Sequence, residues 1–291
     1  MPPITEYDIM QRRLSRYEEL FRAGMCTEDE MRESQALVSR VKIRMEVGPV
    51  LPEQAADEAE QAPRPWFKPS GLIHEVLPWE DLDQVSQIRG LLSTGLREKL
   101  WAGPGPWNQG TTYYCVPYTY DHIMEGSPRP HAWPYSTHAE YFNQCDLNDG
   151  VNSSKGTLSS TAAELAKRRN CLVGYSWATN ALGGIDWCIN NGPVALNGDW
   201  TAKWDAGVVD SEQYILSGTN YAYGHCIKVR GGNLDKVHNR TGTKGAARVI
   251  NSYGAGWGAS GEAWFRILDI QRMMDGVFGG HTGFICKPVK V

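Results

Sequence analysis

One stretch near the C-terminus constrains the fold more than any other. It reads NSYGAGWG over residues 251–258, and β-like runs stand on both sides of it, at 247–252 and 263–267. Its glycines allow the tight turn that such a connection needs. Further β-like runs bounded by Gly, Asn or Asp lie at 193–196, 225–229 and 283–289. These patterns predict short antiparallel strands in the C-terminal part of the chain.

Helix signals dominate the region that precedes these strands. They cover residues 116–125, 160–169 and 181–190, where strong helix formers such as the run STAAELAKRR are found. Helices followed by antiparallel strands are typical of an α+β domain, and they predict two lobes within residues 67–291.

Residues 1–46 predict a separate helical hairpin. Apolar residues recur at steps of three and four in two stripes, as expected of amphipathic helices. The stripes consist of Tyr7, Met10, Leu14, Tyr17 and Phe21, then of Met31, Val38, Val41 and Met45. Gly24 is placed to end the first helix, and Thr27 with Glu30 forms a capping-box pattern. Two such stripes bury each other or dock on a partner.

Residues 47–66 predict a linker, because they combine four prolines with four acidic residues. The net charge of the chain is −4 and its pI is near 6.0, which gives no indication of a nucleic-acid partner. No stretch approaches the roughly 20 apolar residues of a membrane span. The N-terminus is polar from its first residues and lacks a secretion signal, so we expect a cytoplasmic location or one within an assembled particle.

The chain has seven cysteines and no CxxC pair. This spacing predicts no metal site, and nothing in the sequence calls for a cofactor. Without a secretion signal we expect reduced thiols, one of which is a candidate nucleophile. Cys115 stands where a Gly- and Pro-rich loop, AGPGPWNQGTTYY, gives way to a predicted helix. A helix N-terminus stabilises a thiolate, so this position suits an activated cysteine.

Three segments together resemble the papain-like cysteine peptidases. Gln109 stands six residues before Cys115, His225 follows Gly224 in the run YGHCIKV, and Asn251 begins the NSYGAGWG stretch. The resemblance implies a papain-like fold with a helical lobe and an antiparallel, β-barrel-like lobe. It implies Cys115 as nucleophile, His225 as base, Asn251 as the residue that orients His225, and Gln109 in the oxyanion hole.

The resemblance also implies substrate-binding positions. The run CLVGYSW over residues 171–177 is similar to the segment that lines the family's cleft, and it assigns Gly174 to substrate binding. Tyr114, Tyr253 and Trp257 are predicted to bind substrate as well. Tyr114 belongs to a Tyr-Tyr pair where the family has smaller residues, and Tyr253 stands where the family has a Trp that covers the His–Asn pair.

The function predicted from these segments is hydrolysis of peptide bonds through an acyl-enzyme, with a peptide or protein as substrate. The alternative is a catalytically weak or inactive papain-fold subunit of a larger assembly, such as a virion. An acyl transferase would use the same triad. For residues 1–46 two roles stay open. Glu28 and Arg32 have the spacing of a papain-type pro-segment, whereas a helical hairpin could equally anchor the chain to an assembly partner.

Overall fold

A computed structural model describes the α+β fold of the chain. It covers residues 6–39, 49–50, 74–75, 95–128, 130–132, 134–151, 155–178, 180–218, 221–275 and 283–288. Apart from residues 49–50, the predicted linker 47–66 lies outside the described residues, as do Val41 and Met45 of the second apolar stripe.

The described part contains eight helices. They are α1 (Glu6–Arg22), α2 (Glu28–Val38), α3 (Cys115–Met124), α4 (His138–Asp149), α5 (Ser159–Arg168), α6 (Ala181–Asn191), α7 (Ala202–Asp205) and α8 (Ile267–Met274). The helices predicted at 116–125, 160–169 and 181–190 are confirmed as α3, α5 and α6. Within the described residues, no helix is both long enough and apolar enough to cross a membrane.

The strands follow the expected order. They are β1 (Pro49–Val50), β2 (His74–Glu75), β3 (Glu98–Leu100), β4 (Leu172–Ala178), β5 (Val194–Thr201), β6 (Tyr221–Val237), β7 (Lys244–Ile250), β8 (Glu262–Arg266) and β9 (Gly283–Pro288). Seven of them form one antiparallel sheet in the order β4-β9-β5-β6-β7-β8, with β3 paired to β6. The five predicted strand runs are confirmed as β5 to β9.

Two hydrophobic cores lie on the two sides of this arrangement. One is built from α3, α4 and α5 and includes Cys115, Tyr120 and Tyr141. The other lies against the sheet and includes large buried aromatics such as Trp200 and Phe265. The two cores correspond to the predicted helical and β lobes, and Cys115 belongs to the helical one.

The N-terminal hairpin belongs to the sheet-side core. Gly24 ends α1 with a φ of 71°, and the N–H of Met25 donates to the carbonyl of Leu20 at 2.8 Å. The predicted capping box of Thr27 and Glu30 is confirmed at the start of α2. Tyr17 and Leu20 are buried in the same core as the sheet residues.

The buried face of α1 differs from the predicted stripe. Tyr7 and Phe21 are 64% and 41% exposed, whereas Arg13 and Arg16 are buried. Both arginines face the carboxylate of Asp275, just after α8. The helix therefore presents a face of arginine, tyrosine and leucine to the lobe, because the ion pairs of its arginines with Asp275 set its rotation.

Candidate active site

Cys115 is the first residue of α3 and has no exposed surface. The first N–H groups of a helix lack partners within the helix and carry partial positive charge, which favours a thiolate at this position. One turn later, the Thr119 hydroxyl donates to the carbonyl of Cys226 at 3.0 Å. Since Cys226 is next to His225 on β6, this bond holds the start of α3 against the strand that carries the predicted base.

His225 is buried on β6 and is paired to Asn251. Its Nε2 lies 2.9 Å from Asn251 Oδ1, which also accepts the N–H of Ser252 at 2.8 Å. Because an amide oxygen only accepts, Nε2 carries the proton in the neutral ring and Nδ1 keeps its lone pair. This tautomer is the one that can accept a proton from a thiol.

The Gln109 loop is joined to the residues that follow Asn251. The N–H of Gln109 donates to Ser252 O at 2.8 Å, and the N–H of Gly254 donates to Trp107 O at 2.9 Å. The side chain of Gln109 is 3% exposed; its Oε1 accepts from the Ser252 hydroxyl, and its Nε2 donates to Thr112 O at 2.7 Å. An amide nitrogen has two N–H donors, so the bond to Thr112 occupies one of them.

Two aromatic rings enclose the imidazole of His225. The Tyr253 ring stacks on it at a centroid distance of 4.9 Å and 28°, and the Trp200 ring meets it edge-on at 4.7 Å and 61°. Burial raises the pKa of Tyr253 well above 10, and the charges of Asp205 and Cys115 add to that rise. Tyr253 therefore lies within electrostatic reach of the thiol while it contacts the imidazole.

The predicted substrate-binding residues occupy different surroundings. Tyr253 packs on His225, and Tyr114 precedes α3 with its ring 4.6 Å from that of Phe142. Gly174 pairs with Lys287 in β9 beside a register shift. Trp257 is buried in the sheet-side core, where its indole N–H donates to Trp204 O at 2.7 Å. Substrate binding by these four residues stays a prediction.

Asp205 is a site residue to which the sequence assigns no role. It ends α7, is 3% exposed, and its Oδ1 accepts the indole N–H of Trp200 at 3.0 Å and the hydroxyl of Tyr223. No local motif connects Asp205 with His225. The sequence signal that could have pointed to a polar partner such as Asp205 is Tyr253, which carries a hydroxyl where the family resemblance calls for an indole.

Comparisons with known proteins agree with this geometry at the level of the fold. No protein-family model and no curated protein matches the chain. Among solved structures, xylellain, a cysteine protease from Xylella fastidiosa, has a TM-score of 0.55 at 11% identity and covers 77% of this chain and 97% of its own. A digestive procathepsin L2 proteinase from Tenebrio molitor has a TM-score of 0.50 at 13% identity, covering 99% of this chain and 95% of its own. The chain therefore has the papain-like fold of these cysteine proteases.

Proposed function

We propose that the chain is a cysteine peptidase that uses Cys115, His225 and Asn251 as its triad. The observation that carries the proposal is the 2.9 Å contact between His225 Nε2 and Asn251 Oδ1. The strand that carries His225 is also hydrogen-bonded to the N-terminal half of the helix that begins with Cys115. This arrangement supplies a nucleophile, a base and a residue that orients the base.

The proposed reaction proceeds through an acyl-enzyme. His225 Nδ1 takes the proton of Cys115, and the thiolate attacks the substrate carbonyl to form a C–S bond. Gln109 and the backbone N–H of Cys115 stabilise the tetrahedral oxyanion. The imidazolium then gives its proton to the leaving amine as the C–N bond breaks. Water, activated by His225, hydrolyses the thioester and releases the acid and the free thiol.

Labelling with an epoxide inactivator of papain-type enzymes tests the proposal. Wild-type protein should gain one adduct, located on Cys115 by mass spectrometry, and Cys115→Ala and His225→Ala should gain none. Cys171→Ala is the matched control, because Cys171 Sγ also lies near a histidine, 3.7 Å from His131 Nδ1, but burial raises the pKa of its thiol. An adduct on Cys171 alone would contradict the triad. Equal labelling of Cys115 in the wild-type and His225→Ala proteins would contradict it as well.

One observation favours a second function. Cys115 and His225 both have 0% exposed surface. A site with both reactive groups closed to solvent fits a papain-fold structural subunit of a larger assembly, in which the triad has no substrate. Wild-type protein that stays unlabelled by the epoxide and cleaves no peptide library would support this structural role and would exclude the peptidase.

For the N-terminal hairpin, we infer a fixed place on the sheet-side lobe and not in the cleft. Its ion pairs and hydrogen bonds run to one region of that lobe: Asn180, Lys244, Arg266, Arg272 and Asp275. Arg272 Nε donates to the buried hydroxyl of Ser34 at 2.8 Å, and Arg266 pairs with Glu30. These contacts support a structural or anchoring role over that of a removable pro-segment.

A further inference from the structure

We propose that Asp205 is a positioning residue for His225. In this proposal its carboxylate holds Trp200 and Tyr223, so that Trp200 and Tyr253 enclose the imidazole, and its negative charge stabilises the imidazolium. The inference rests on the proposed peptidase function and extends it to a residue outside the triad.

The first step of the argument is the carboxylate itself. Asp205 is 3% exposed, and one of its oxygens accepts two hydrogen bonds, from Trp200 Nε1 at 3.0 Å and from the Tyr223 hydroxyl. Hydrogen bonds to an ionised carboxylate are about twice as strong as those between neutral groups. The two bonds therefore fix the positions of the Trp200 indole and the Tyr223 hydroxyl.

The second step is the strand register that links these donors to His225. Tyr223 and His225 are two residues apart on β6, so their side chains leave the same face of the sheet. On the neighbouring strand β5, Trp200 pairs with Tyr223 and Gly198 pairs with His225. A side chain at Gly198 would collide with Met273, so glycine is required opposite the histidine. Trp200, opposite Tyr223, contacts the imidazole from the next position on the same face.

The third step is the enclosure of the ring. Trp200 contacts His225 at a centroid distance of 4.7 Å, and Tyr253 stacks on it at 4.9 Å. Tyr253 is in turn coupled electrostatically to both Tyr223 and Asp205. The carboxylate thus bonds directly to one aromatic wall of the imidazole, Trp200, and acts on the other, Tyr253, through its charge.

The fourth step is electrostatic. An imidazole between two buried rings loses contact with water, which disfavours its charged form. A buried carboxylate nearby acts in the opposite direction, because attraction between opposite charges is stronger in a medium of low dielectric constant. Asp205 would therefore preserve the imidazolium that the acyl-enzyme pathway requires.

The test compares Asp205→Asn with Asp186→Asn, a buried aspartate on α6 whose charge interacts with Arg97. The His225 titration is followed by NMR, with its signal identified by its loss in His225→Gln. In Asp205→Asn we expect the pKa of His225 to fall by about one unit. The basic limb of the pH profile of kcat should shift down by the same amount. At a pH above both pKa values kcat should fall about tenfold, while KM stays within about twofold. Asp186→Asn should leave all of these unchanged.

An unchanged His225 titration in folded Asp205→Asn protein would overturn the proposal. If this variant does not fold, Tyr223→Phe tests the same contact, since it removes one donor to the carboxylate and keeps the ring; a kcat equal to that of wild type would then overturn it. The titration needs no turnover. A wild-type protein without peptidase activity would therefore refute the proposed function, while the NMR shift would still decide the role of Asp205.

Discussion

Replacing Asp275 by Asn should loosen the N-terminal hairpin from the sheet-side lobe. Asp275 Oδ1 lies 3.1 Å from Arg16 Nη1 and 3.7 Å from Arg13 Nε, and its Oδ2 accepts from Gln271 Nε2 at 2.8 Å. The three charged side chains are 2%, 10% and 8% exposed, so water screens them little. Asn has nearly the same shape, but it removes the negative charge and replaces one acceptor oxygen by an NH2 donor.

The expected loss of stability follows from the buried arginine charges that remain after the substitution. Breaking a buried ion pair by removing one partner costs about 3–5 kcal/mol, because the remaining charge is buried without compensation. Here two arginines lose their common partner, but Asn can still accept one hydrogen bond. We therefore expect the free energy of unfolding to fall by about 3 kcal/mol.

Urea unfolding at pH 7 measures this loss. Glu18→Gln is the control, because Glu18 and Arg22 form an ion pair of 3.0 Å on the same helix with side chains that are 50% and 70% exposed. Such a pair contributes about 0.5 kcal/mol or less. Equal unfolding free energies for the two variants would refute the inference that the hairpin is held by buried charge, and would reopen its role as a detachable pro-segment.

Two further predictions concern the site and its helix. Gln109→Ala should lower kcat by about 10²–10³, as expected for loss of an oxyanion donor, while the control Gln144→Ala on α4 should leave kcat unchanged. Peptide hydrolysis measures kcat for both variants. Wild-type turnover in Gln109→Ala would remove Gln109 from the mechanism. Burial, and then the charge of Lys228, lowers the pKa of His122 on α3 to about 3. The unfolded chain, with a histidine pKa near 6.5, binds the proton first, so stability should fall by roughly 3–5 kcal/mol from pH 6.5 to pH 3. His122→Gln should flatten that part of the profile in urea unfolding, and an unchanged profile would exclude His122 as its source.

Much of the secondary structure could be predicted because it depends on local patterns. Five strands and three helices of the region 67–291 coincide with predicted runs, and both hairpin caps appear where Gly24 and Thr27 predict them. Helices α4, α7 and α8 do not coincide with predicted runs. Helix α4 has weak segregation of polar and apolar residues, and α8 begins directly after β8, so its first residues read as the end of a strand.

The parts of the site that could not be predicted depend on contacts between distant segments. The spacing of Gln109 and Cys115 and the run around Asn251 predict the triad, because each is a local signal with a chemical reason. The rotation of α1 depends on Asp275, which is more than 250 residues away along the chain. The place of Asp205 depends on the pairing of β5 with β6, which no residue in the loop around α7 specifies.

The two candidate functions differ in whether the enclosed imidazole of His225 can carry a positive charge. Rings on both sides of an imidazole remove water and weaken its charged form, which suits a structural site that never turns over. In our proposal the Asp205 carboxylate, which bonds to one of those rings, stabilises the charged form that a catalytic site uses. Trp200 donates to Asp205 while it contacts His225, so the residue that excludes water also brings the compensating charge close. In a structural subunit Asp205 would serve only to accept the hydrogen bonds of Trp200 and Tyr223, whereas a peptidase also uses its charge. A His225 titration that depends on the Asp205 charge would therefore favour the peptidase.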